Sequence, residues 1–140
     1  MKPFKYIIFL AVVIALVAQP MTAEPPSAID TKVKPLMQLK LDRAKNILEG
    51  LALEDYDQIA SNARALRLLS LESGWNIYQT KEYMDQSRDF RQTTDLIAKA
   101  AENKDISRAA LGYVTLTVRC VECHQYMRTH KTELMKFQPQ

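Results

Sequence analysis

Near the end of the chain, in "LTVRCVECHQYMR", stand the only two cysteines of the 140 residues and one of the only two histidines. On a helix, Cys120 and Cys123 are three apart and Cys120 and His124 are four apart. All three side chains then project over one patch of its surface, and such a patch can hold a flat ligand at three points. Two thiols can add to the two vinyl groups of a haem while the adjacent imidazole reaches the iron. C-x-x-C-H is the attachment pattern for c-type haem.

Other chemistries use parts of the same pattern. A C-x-x-C in an exported chain can be a structural disulfide, or a thioredoxin-like redox pair. The latter belongs to βαβ surroundings that this sequence lacks. Zinc needs one more ligand, and His130, six residues after His124 and about 120° round a helix, is badly placed to supply it.

The motif needs a helix beneath it and other helices around it. Only three glycines occur, which disfavours a turn-rich sheet protein, while the Leu, Ala, Lys, Glu, Arg and Gln content suits helices. Pro35 fits a first helical position and Gly50 the position just past an end. A first helix is therefore predicted over residues 35–49, with Met37, Leu41, Ala44 and Leu48 facing inward. A second starts at the acidic pair Glu54 and Asp55 and runs to about Ser73, before Gly74, with the stripe Tyr56, Ile59, Ala63, Leu66 and Leu69. After a loop around Trp75, a third covers residues 80–102, its stripe being Tyr83, Phe90, Thr94, Ile97 and Ala101. The fourth opens at the N-cap Asp105, with Ile106, Ala110, Tyr113, Thr117, Cys120 and His124 on one face. Four amphipathic helices with short connections predict an all-α fold, an antiparallel up-down-up-down four-helix bundle over residues 35–130.

Residues 1–23 read as a targeting segment: two lysines precede thirteen apolar residues, too few to span a bilayer comfortably but suited to a signal peptide. Residues 24–34, with paired prolines, read as a flexible lead-in, and residues 131–140 as a C-terminal tail. The net charge is +3, and without Lys2 and Lys5 it is +1. A chain so nearly neutral, with interspersed signs, carries no electrostatic footprint for nucleic acid.

With its motif on the last of four helices, the sequence resembles the class II c-type cytochromes, the cytochrome c-prime group and its low-spin relatives. The likeness covers roughly residues 35–128. The family's terminal pattern is C-x-x-C-H, two free positions, an aromatic and an Arg; Arg128 matches the Arg, and Met127 stands where the aromatic is usual. Cytochromes with an early motif and a distant Met ligand fit worse, since only 16 residues follow His124.

The resemblance implies one haem c, covalently held by Cys120 and Cys123, with His124 as proximal ligand. In six-coordinate members a Met early in the first helix is the second axial ligand, and Met37 occupies that place; a thioether raises the haem potential as an electron carrier would use. Met84 is the other Met at that end. Cytochrome c-prime has an apolar residue over an open iron, a part that Leu36 or Leu41 would play. Arg128, one turn after His124, is placed for a haem propionate or for water. Trp75, Tyr56, Tyr83, Phe90 and Tyr113 can wall a haem or serve as ordinary core. Arg119, Arg128, Lys131 and Lys136 form a basic cluster for an acidic redox partner or a solvated face.

The expectation is an exported, periplasmic monohaem cytochrome that passes single electrons to partner proteins and is no enzyme. The alternative is a five-coordinate protein of the c-prime kind that binds NO or CO. Resemblance makes a homodimer through the first two helices plausible. A membrane enters only if the N-terminal segment stays uncleaved.

Overall fold

The computed structural model describes residues 28–72, 75 and 78–130. The targeting segment, Gly74 and the tail with Lys131, Met135 and Lys136 lie outside the described residues. Four helices carry the fold: α1 (Ala28–Leu53), α2 (Tyr56–Leu69), α3 (Lys81–Glu102) and α4 (Ile106–Thr129). No strand occurs among the described residues. No described helix is long and apolar enough to cross a membrane.

The first helix is longer at both ends than its signals suggest. It begins at Ala28, so the second half of the expected flexible lead-in is helical and Pro35 sits inside the helix. Residues 28–34, "AIDTKVK", contain no helix breaker, and Pro35 forgoes only one ladder hydrogen bond. Gly50 is also helical, and its role is clearance. A Cβ there would meet Cγ1 of Ile59 at 2.9 Å and the Asp55 carbonyl oxygen at 3.2 Å.

The α1–α2 and α3–α4 corners are built alike. Glu54 and Lys104 take the left-handed conformation, each at φ 54°. After α1, the amide of Asp55 donates to the Gly50 carbonyl (2.9 Å) and that of Glu54 to Leu51 (3.5 Å). After α3, Asp105 donates to Ala100 and Lys104 to Ala101, both at 2.9 Å. This is the Schellman pattern of helix endings. The same two aspartates then cap the next helix, accepting from the amides of Gln58 and Arg108 at 2.9 Å each. One residue thus ends one helix and starts another, which makes both corners short and stiff.

Packing follows the α2 and α3 stripes closely. Ile59, Ala63 and Leu66 of α2 and all five residues expected of α3 are buried, and Tyr56 and Leu69 pack half-buried against them. On α1 and α4 the stripes are displaced. Leu41 and Leu48 are about half exposed, and the buried positions are Leu36, Ile47 and Gly50. On α4, Ala110 and Thr117 face solvent, while Ala109 and Leu116 are buried. The reason is Gly112, where a Cβ would come within 2.7 Å of Cγ1 of Ile97. The absence of a side chain at Gly112 lets Ile97 of α3 sit against the α4 backbone, which goes with a buried face running through Ala109 and Leu116. Gly112→Ala should therefore destabilise the fold by about 1–3 kcal/mol despite better helix propensity, read from the urea midpoint. Unchanged or increased stability would show that Ile97 gives way freely.

Each helix packs extensively on its sequence neighbour, whereas α1 meets α4 through far fewer residues. A polar cluster fastens the later part of α1 to α2: Arg43 and Asn46 each donate to Oδ1 of Asn62 at 3.3 Å. Toward its start, α1 stands off from α4. The bundle is open along that seam.

Candidate functional site

The open seam is a cavity of about 680 Å³, within the range of roughly 300–1,000 Å³ common for small-molecule and cofactor sites. Cys120, Cys123 and His124 line it from α4, and Met37, Lys40 and Leu41 from α1. Trp75 and Phe90, with ring centroids 5.1 Å apart, close the inner end. Trp75 donates from its indole N–H to Oγ of Ser87 at 2.8 Å, and Tyr83 donates its hydroxyl proton to the Trp75 carbonyl. Trp75 is thereby held against α3.

The motif residues share this wall without converging. Cys120 and Cys123 are half-buried free thiols, not a disulfide. Among the described residues no three His, Cys, Asp or Glu side chains gather closely enough to hold a metal ion. His130 serves elsewhere: it stacks on Tyr126 at 4.4 Å, and its Nδ1 lies 3.1 Å from the Tyr126 carbonyl.

Desolvation pushes both thiols above their ordinary pKa, against the opposing charge of Lys40. That is the reverse of a redox-active C-x-x-C, whose nucleophile is held low to supply thiolate. His124, open to solvent at the cavity's edge, is held below its ordinary pKa by partial desolvation and then by the charges of Lys40 and Arg128. The neutral imidazole it favours is the form that binds metals.

Lys40 is the residue that the sequence did not reveal. It lies on the inward face of α1, one turn beyond Met37, with Nζ 3.0 Å from the Trp75 ring centroid and 4.5 Å from that of Phe90. It takes part in no ion pair among the described residues. Burial pushes its ammonium down to about 8, with the two cysteines pulling the other way. Nε of Arg119 and Oε1 of Gln86, in residues of the cavity wall, are buried with no hydrogen-bond partner among the described residues. Arg119 otherwise pairs with Glu122 at 2.9 Å and lies 3.8 Å from Asp89.

Of the remaining sequence candidates, Arg128 lines the cavity beside His124, as do Tyr83 and Met127. Met84 is 48% exposed and does not line the cavity, so it is placed outside the site. Tyr56 and Tyr113 pack half-buried against the core instead of lining it.

No protein-family model matches the chain, and no curated protein or solved structure is similar enough to place it in a family.

Proposed function

We propose that this protein is an exported c-type cytochrome that carries single electrons on one covalently held haem. The observation that carries the reading is one cavity, largely apolar and of cofactor size, with Cys120, Cys123 and His124 on its α4 wall. The surroundings suit the group as well. Flat aromatic side chains, Trp75 and Phe90, bound the inner end, and Arg128 lines the cavity beside His124 with a positive charge that a haem carboxylate would use. Haem bound there would supply an iron that changes oxidation state by one electron.

Cys120 and Cys123 would hold the porphyrin edge, and His124 would bind the proximal face through the neutral imidazole its setting favours. Met37, half-buried on the opposite wall, would supply the distal sulfur. Arg128 would neutralise a propionate at the rim. The antiparallel bundle expected from four amphipathic helices with short connections is supported for α2 and α3 by contacts whose residue numbers run in opposite senses, Arg64 with Glu102 and Arg67 with Asp95.

A second reading rests on Leu41, half exposed at the cavity's edge on the wall facing the motif. Should it cover the iron in place of Met37, the site would be five-coordinate and open to NO or CO.

Production in an export-competent host with cytochrome maturation machinery tests the proposal. The expected product is coloured, keeps its colour through acid denaturation, and has the mass of polypeptide plus one haem. Colourless protein of bare polypeptide mass would overturn it. Cys120→Ala with Cys123→Ala should yield that colourless state as a control.

A further inference from the structure

The outer face of α4 is apolar. Leu111, Val114, Val118 and Val121 are 69%, 61%, 48% and 57% exposed. Their 3, 4, 3 spacing places them in one stripe over three turns, on the side of α4 away from its buried Ala109 and Leu116. No described helix covers this stripe, and only Val121 also reaches the cavity. An exposed helix face is ordinarily polar, and a contiguous apolar stripe marks a binding surface. On α1, by contrast, exposed Leu41 and Leu48 stand two turns apart, and Leu41 belongs to the cavity's rim.

We propose that α4 is a self-association surface, packing on α4 of a second copy in antiparallel orientation about a two-fold axis level with Leu116. The sequence of the stripe is self-complementary in that arrangement. Leu111 faces Val121 of the second copy and Val114 faces Val118, so the four apolar residues meet without a gap. Along one edge run Arg108, Thr115 and Glu122, and an antiparallel pair sets Arg108 of each copy against Glu122 of the other. Both side chains are well exposed and hold only local partners, Asp105 and Arg119. Ala110, Thr117 and His124 form the other edge, which opposes no like charges. A parallel pairing would leave Arg108 and Glu122 apart, so the charge pattern selects the antiparallel one. Such an interface is isologous and closes as a dimer. It differs from the pairing through the first two helices that the resemblance implied.

Sedimentation velocity of the exported protein over a concentration series tests this, with melting curves of each variant as the folding control. The expected parent forms a concentration-dependent dimer, and Val118→Glu is monomeric throughout with an unchanged melt, since Val118 is exposed. Arg108→Glu should weaken the dimer by about tenfold or more, and adding Glu122→Arg should restore it. A parent that stays monomeric, or a dimer indifferent to Val118→Glu, would overturn the proposal. A double variant that fails to restore pairing would overturn it too. So would a monomer whose only association is with lipid vesicles and is lost in Val118→Glu. None of these outcomes bears on colour or mass, so this inference and the haem reading stand or fall separately.

Discussion

In protein carrying no cofactor, Lys40→Met should be more stable than the parent at pH 7 by about 3 kcal/mol, because burial holds the lysine down at about 8 against its ordinary 10.5. Lys40 holds a charge among Trp75, Phe90 and two thiols with no carboxylate beside it. Removing one lysine charge and keeping its apolar stem leaves the packing in place. The pH dependence identifies the cause. Below about pH 8 the lysine is protonated both folded and unfolded, so the folded state bears the whole desolvation penalty. Above 8 the folded chain gives up that proton while the unfolded chain keeps it until about 10.5. Parental stability therefore rises with pH across this interval. From about pH 9 the thiols oppose the rise, because burial keeps them protonated in the fold when the unfolded chain would ionise them. Between pH 8 and 9 both proteins carry the same two thiols, so the lysine shows in the difference between them, and the urea midpoint of Lys40→Met should fall relative to the parent's. Parallel profiles would show that the ammonium leaves the cavity for water.

The second large effect tests the proposed haem site, in whatever coloured protein the maturation experiment yields. Met37→Ala should convert a low-spin spectrum wholly to high spin and lower the haem potential, because a thioether both completes the coordination and favours the reduced iron. Absorption spectra of oxidised and reduced protein decide it. An unchanged spectrum removes Met37 from the coordination sphere. Conversion in Lys40→Ala instead would assign the position to its amine, which lies one turn along the same helix face. A parent already high-spin that takes up CO rapidly would support the open site guarded by Leu41.

Much of this was legible in the chain. The α3 stripe was, because Tyr83, Phe90, Thr94, Ile97 and Ala101 repeat at helical spacing and all five are buried. Asp105 announced α4 as its N-cap. The C-x-x-C-H spacing announced a shared wall, and the three side chains do line one cavity. Three things stayed hidden. Hydrophobic periodicity treats lysine as polar, so Lys40 dropped out of the inward face although its long stem reaches the aromatic floor. Glycine carries no side chain to score, so the approach of Ile97 to Gly112 left no pattern. Pro35 and Gly50 resembled boundary residues, yet a proline loses one hydrogen bond and a glycine can serve clearance, so neither had to end the helix.

The seam between α1 and α4 bears on how such a protein is put together. Because α2, α3 and α4 are each held by the neighbour before or after them in the chain, they can assemble from nearby segments. The first half of α1 is held by Leu36, Met37 and Lys40 and meets α4 through few residues, so parting it from α4 breaks less than parting any two sequence neighbours. A large group bound for Cys120 and Cys123 would therefore meet less resistance along this seam than anywhere else between the helices.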